Sequence, residues 1–247
     1  MSATIVLLAR AGELPPDDEW LSAAERGTLR RFRRPERQRD FRVGRLAAKR
    51  ALALLHGHEL PSAARRFEVR PAPGGAPRAF ADGIPLDVTL SIGHSDGRAA
   101  AAVRWGRAEL GCDVERIEER SRAFVLDYFT AAEQAFVDGR CDGGRRATLV
   151  WSAKEAVMKA LGEGLRLAPA TVEVRPDVHF VSRDGWRRFE LSAAAAPPAL
   201  RGFWREVEDL VITVAADEEP RLVDSTAEWS RGRVRGRGAP GLGAGPP

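Results

Sequence analysis

Apolar and polar positions along the chain follow two rhythms, one with period two and one near 3.6. Thr4 to Ala9 is apolar and β-branched and reads as a strand. Ser22 and Glu25, three apart, have the form of a capping box and open a helix that Pro35 breaks. From Glu36 to His56 the residues Phe41, Leu46, Leu52 and Leu55 mark the apolar side of a long helix, with arginine on its other face. Phe67 to Arg70 reads as a short strand and Pro71 to Pro77 as a Pro/Gly loop. Asp87 to Ile92 and Ala99 to Trp105 read as paired strands joined by the turn Ser95-Asp96-Gly97.

The second half begins with a strand, Glu109 to Glu115. Helices follow near Ser121 to Tyr128, Thr130 to Val137 and Arg145 to Leu161, the last stopped by Gly162 and Gly164. Short strands close the pattern near Thr171 to Arg175, Gly185 to Leu191, Gly202 to Val207 and Leu210 to Ala215. Both halves run helices first and then a few antiparallel strands. The predicted class is α+β, with two similar lobes, 1–105 and 106–216, related by pseudo-twofold symmetry. From about Asp217 to residue 247 the chain turns rich in Gly, Pro and Arg and is expected to be disordered.

Composition sharpens this in three ways. Two cysteines in 247 residues exclude a disulfide scaffold, and no apolar run approaches the roughly 18 residues that span a bilayer. The N-terminus has no basic region before its apolar run, so the expectation is a cytoplasmic protein without a secretory signal and without a membrane partner. The net charge of +4 is mostly tail, where Arg231, Arg233, Arg235 and Arg237 stand against Glu228. Within the body the charges separate. Arg26 to Arg50 holds eleven basic residues and two acids, and Glu109 to Glu119 holds five acids and one arginine. A basic patch and an acidic patch in one fold suit a polyanion together with a divalent cation. Of 39 basic side chains only Lys49, Lys154 and Lys159 are lysine; either they mark places where a compact ammonium is required, or they are chance survivors in an arginine-rich composition.

Four stretches carry candidate chemistry. In Gly111-Cys112-Asp113-Val114-Glu115 a strand would turn both carboxylates to one face and Cys112 and Val114 to the other. Such a pair can hold Mg²⁺ through oxygen, and it can equally be the solvated face of an ordinary strand. Cys112 would then pack as a small hydrophobe. On the helix around Trp151-Ser152-Ala153-Lys154-Glu155, the residues Trp151, Glu155 and Lys159 fall on one side. The plain reading is a surface Glu-Lys pair, and the functional one a third metal carboxylate with a phosphate-binding ammonium. His94, at a strand end in Leu90-Ser91-Ile92-Gly93-His94-Ser95, is a structural histidine or a phosphate ligand and acid-base group. The helix from Arg33 to Arg50, which carries Lys49, is a solvated face or a phosphate cradle.

Taken together, Gly-Cys-Asp-Val-Glu and Trp-Ser-Ala-Lys-Glu-Ala-Val-Met-Lys-Ala-Leu-Gly-Glu-Gly-Leu resemble the 4′-phosphopantetheinyl transferase superfamily, in its larger single-chain, two-lobed form. The resemblance runs from about Leu21 to Val214. Leu90 to Ser95 is similar to the family's Ser-His-Ser strand, and Phe129-Thr130-Ala131-Ala132-Glu133 to its Phe-x-x-x-Glu helix start. The resemblance implies transfer of the phosphopantetheine arm of coenzyme A to a serine of a carrier protein, with adenosine 3′,5′-bisphosphate released. It implies Mg²⁺ held by Asp113, Glu115 and Glu155, with Glu155, Lys159 and His94 as catalytic residues. It further implies phosphate contacts from Lys159, Lys154 and His94, and a 3′-phosphate bound by Lys49 with Arg45, which places the adenosine end on the first lobe. The carrier would dock near Phe124, Tyr128 and Phe129, and the chain would act as a monomer. The sequence departs from the family at Gly75-Ala76-Pro77, where Ala76 replaces a lysine and Arg78 is the nearest substitute, and at Gly93, which replaces a serine.

A nucleic-acid-binding module built on the arginine helix and tail is the alternative from another class. It leaves Asp113, Glu115 and Glu155 without a role.

Overall fold

The computed structural model describes residues 3–58, 62–138, 141–162, 166–177, 179 and 181–224. The first half contains β1 (Ile5–Arg10), α1 (Ala23–Leu29), α2 (Pro35–Leu55), β2 (Phe67–Pro71), β3 (Pro77–Ala81), β4 (Ile84–Pro85), β5 (Val88–Ser95) and β6 (Arg98–Trp105). The second contains β7 (Gly111–Arg116), α3 (Arg122–Tyr128), α4 (Ala131–Val137), α5 (Gly143–Ala160), β8 (Glu173–Pro176), β9 (Arg187–Ser192), β10 (Arg201–Val207) and β11 (Leu210–Ala216), followed by β12 (Arg221–Asp224). The class is α+β, as the periodicity predicts.

Both halves use one plan. A first strand leads to a short capped helix, a long helix and short strands, and a closing hairpin returns its last strand antiparallel to the first. Thus β6 pairs with β1, and β11 with β7. The larger sheets run β12-β1-β6-β5 and β7-β11-β10-β9-β8, with a small sheet β2-β3-β4 beside them. The β5–β6 turn is tight because Asp96 and Gly97 both take positive φ, 44° and 72°, the type I′ geometry that suits the twist of a hairpin.

Alternation along the first strands of the two halves makes a four-layer molecule. Val6 and Leu8 of β1, with Ala100 and Ala102, pack on Cys112 and Val114 of β7, with Ile212 and Val214, so the two large sheets meet face to face. Leu7 and Ala9 point the other way, under the Val43, Leu46 and Ala47 side of α2. On the far side Val211 and Ala215 pack beneath Val150, Ala153 and Val157 of α5.

Each half also contains a fully buried ion pair. Lys49 of α2 lies 2.7 Å from Glu25, and Lys154 of α5 lies 2.8 Å from Glu133. Each glutamate is the N3 residue of a capping box, with Ser22 in α1 and Thr130 in α4. Each also accepts the backbone N–H of a following strand, Val69 at 3.0 Å and Val174 at 2.8 Å. One carboxylate thereby ties together a helix start, a long helix and a strand.

Two expectations change. The strands β3 and β4 are formed by residues that the sequence pattern leaves without a strand, and Asp82-Gly83 makes their hairpin turn. The chain is ordered past Asp217, because Arg221–Asp224 adds a parallel strand to β1. Its backbone gains ladder hydrogen bonds there, and Val223 is buried. The arginines of the tail, and Gly164, lie outside the described residues.

Candidate active site

The site lies where β5 of the first half meets β7 of the second, under the C-terminal part of α5. Two glycines bring these elements together. A Cβ on Gly93 would stand 2.6 Å from the Cα of Asp113, and one on Gly111 would collide with the carbonyl oxygen of Ala156 on α5. Ser91 Oγ accepts the backbone N–H of Cys112 at 2.9 Å, a further hydrogen bond across the seam.

Asp113 and Glu115 share one face of β7. Asp113 is buried, and its oxygens accept from Lys159 Nζ at 2.7 Å and Ser152 Oγ at 2.8 Å. Glu115 Oε2 accepts from Ser95 Oγ at 2.9 Å and from Arg120 at 3.2 Å. Glu155 stands 4.0 Å from Lys159, one helical turn earlier. Burial, and then the charge of Asp113, push the Glu115 carboxyl up to about 7, against Ser95, Arg120 and Lys159. Burial also raises Glu155, with Lys159 opposing and Asp113 adding. Burial alone would lower the Lys159 ammonium, but Asp113, Glu155 and Cys112 outweigh it and hold it protonated.

Residues 109–215 match the family model of the 4′-phosphopantetheinyl transferase superfamily. The match covers the second half of the fold, from β7 to β11. No curated protein matches the chain. The matched segment includes Asp113, Glu115, Ser152, Glu155 and Lys159, so the whole polar cluster lies within it. No described helix is long and apolar enough to cross a membrane.

The three carboxylates suit a divalent cation by type. They are hard oxygen donors, and two of them are raised by burial and by the charge of a third, a repulsion that a cation relieves. As the side chains lie, Lys159 supplies the neutralising charge. Among the described residues no group of three metal-ligating side chains is drawn together.

A cleft of about 810 Å³ opens beside this cluster. Its walls are the β2–β3 turn with Ala76, Pro77 and Arg78, the strand β5, the β6–β7 link with Arg107, and the end of α5 with Lys159. Arg78, two residues from Ala76, lines the same cleft. His94 is exposed at the end of β5. Its imidazole is held below the usual value by desolvation first, with Lys159 adding and Asp40 and Asp113 opposing.

Four sequence expectations are corrected. Lys49 and Lys154 are both 0% exposed and do not reach the cleft. Lys49 also donates to the Trp20 carbonyl at 2.8 Å, and Lys154 to those of Pro169 at 2.9 Å and Val172. Burial pulls both ammonium groups below the usual lysine value while the paired glutamates oppose it. Arg45 stacks 4.3 Å over Phe41 and lies 3.6 Å from Glu25, outside the cleft lining. Phe129 is buried, leaving Phe124, Tyr128 and Trp151 as the aromatic surface beside Glu155. Cys112 is the small core residue its strand position implies, with its thiol pushed up to about 12 by burial.

Sequence reasoning missed Ser95, Arg120, Ser152 and Arg107. Ser152 carried a usable signal: with Glu155 and Lys159 it forms an i, i+3, i+7 stripe on one helix face.

Proposed function

We propose that the chain transfers the 4′-phosphopantetheine arm of coenzyme A to a serine of an acyl or peptidyl carrier protein and releases adenosine 3′,5′-bisphosphate. The observation that supports this best is Lys159, which lies 2.7 Å from Asp113 and 4.0 Å from Glu155 and lines a cleft of about 810 Å³. Asp113, Glu115 and Glu155 would hold Mg²⁺, which supplies charge neutralisation for the pyrophosphate. Glu155, its carboxyl raised by burial, accepts the proton of the carrier serine as its oxygen bonds to phosphorus and the pyrophosphate P–O bond breaks. Lys159 remains an ammonium and stabilises the negative charge growing on the phosphoryl oxygens. His94 hydrogen-bonds the phosphates from the first half. The first half, residues 1–105, receives the adenosine end, and the second, 106–216, does the chemistry. The carrier docks on Phe124 and Tyr128. On this reading the protein works as a cytoplasmic monomer in biosynthesis on carrier proteins.

The test is intact-mass analysis of a panel of apo-carrier proteins incubated with the chain, coenzyme A and Mg²⁺. A gain of one phosphopantetheine unit, lost with EDTA, is the expected result. Unchanged carriers across the panel, with salt-dependent binding to random DNA, would replace this reading with the nucleic-acid one.

A further inference from the structure

Asp113 and Glu155 share Lys159, at 2.7 and 4.0 Å, but Glu115 makes no ion pair with a lysine among the described residues. Its holders are Ser95 Oγ from β5 and Arg120 Nη2 from the β7–α3 link, and both bond the same oxygen, Oε2. Oε1 accepts no hydrogen bond among the described residues.

Arg120 has further partners. Its other arm, Nη1, lies 3.2 Å from Glu118, and its guanidinium carbon lies 5.2 Å from the centre of the Phe124 ring. The Nε is buried and bonds to nothing among the described residues, and a cavity of about 200 Å³ lies alongside. Two carboxylates and one ring therefore hold the group in place. The backbone on either side is pinned. Glu118 N–H donates to Thr148 Oγ1 of α5 at 3.3 Å, and Ser121 caps α3 by accepting the Phe124 N–H at 3.2 Å. Phe124 in turn meets Tyr128 at 4.8 Å and Trp151 at 4.9 Å, one helical turn before Glu155.

We infer that Arg120 is a positioning residue: it fixes Glu115 by Oε2, leaves Oε1 free for a divalent cation, and couples that carboxylate to the aromatic face of α3. A planar guanidinium can bridge two carboxylates and lie against a ring at once, and an ammonium cannot. Groups that orient a metal ligand from behind commonly contribute about 10–100-fold in metal affinity. A partner seated on Phe124 touches the ring that steadies this guanidinium. Occupancy of the aromatic face and of the cation site are thereby linked, each changing the other's affinity by one common factor. That consequence rests on the transferase reading.

Titration of the full chain with Mn²⁺, followed by water-proton relaxation, tests the role in wild type, R120K, F124L and the double variant, alone and with coenzyme A. R120K keeps the charge and removes the fork. It should weaken Mn²⁺ about tenfold, F124L about threefold, and the double variant no more than R120K alone. Wild-type affinity in R120K would show that charge alone matters and would overturn the positioning role, leaving the transferase reading standing. Additive losses in the double variant would overturn the coupling to Phe124. If R120K melts below wild type, F124L decides, since it leaves the ion pair in place: unchanged Mn²⁺ affinity there overturns the proposal. No Mn²⁺ binding by the wild type would overturn the proposal and the cation reading together.

Discussion

The two halves of the molecule are built alike and furnished differently. Each closes a short capped helix, a long helix and a strand around one buried Lys-Glu pair, 2.7 Å in one half and 2.8 Å in the other. Counting from the buried lysine, Ser152, Glu155 and Lys159 of the second half correspond to Ala47, Arg50 and Leu54 of the first. On the first strands, Asp113 and Glu115 occupy the helix-facing positions that Leu7 and Ala9 hold in β1. One half thus fills the space between strand and long helix mostly with hydrocarbon, with Arg50 paired to Glu13 as the charged exception, and the other with a polar cluster. Replacing Leu and Ala by Asp, Ser and Lys costs stability unless every charge finds a partner. Asp113 finds two, Lys159 and Ser152, and the Lys-Glu pair one helical turn away keeps the frame closed.

The contrast predicts where substitutions hurt and what they hurt. The largest effect should be on catalysis: Asp113→Ala and Glu155→Ala should each lower transfer by about 10²–10³ or more at saturating Mg²⁺, with the circular dichroism spectrum intact. Turnover near wild type in either variant would remove the second half's distinction. Next come the lysines. Lys49→Met and Lys154→Met should both destabilise by about 3–5 kcal/mol in denaturant titrations, because each strands a buried glutamate. If Lys154→Met kept full stability and lost only coenzyme A binding, the symmetry of the two pairs would be wrong. Smaller still, Ser22→Ala and Thr130→Ala should each cost about 1 kcal/mol through the loss of a cap, and by similar amounts. The gentlest probe is thiol labelling. At pH 8 iodoacetamide should modify exposed Cys141 and spare Cys112, whose buried thiol titrates only near 12. Because the unfolded thiol ionises first, with a normal value of 9.0, native stability should also fall as pH rises from about 9 toward 12. A Cys112→Ser variant should lose that slope.

Much of this was legible in the chain itself. Among the described residues the periodicity located all five α-helices and most strands, and the order of elements suggested two similar lobes. Spacing put Asp113 with Glu115 on one strand face and Glu155 with Lys159 on one helix face, and only the resemblance to a known family implied that the two pairs meet. The lysines were harder. For Lys49 and Lys154 the ammonium serves a core ion pair, with Glu25 and with Glu133, and no phosphate. Sequence shows the residue type and hides which side of the helix a partner waits on. The clue lay in the paired capping boxes, Ser22 with Glu25 and Thr130 with Glu133, whose glutamates are free to serve a third element. The strand Arg221–Asp224 was hidden because its ladder partner, β1, lies at the opposite end of the chain.

The seam between Gly93 and Asp113 has a mechanical consequence. With only 2.6 Å available to a first side-chain atom, the spacing of the two halves is set by main chain against main chain, with no deformable layer between them. Any side chain introduced there acts as a shim. Even a methyl group must prise the strand bearing Asp113 away from its neighbour, so the gauge of the seam beside the polar cluster is governed by a residue that has no functional group at all.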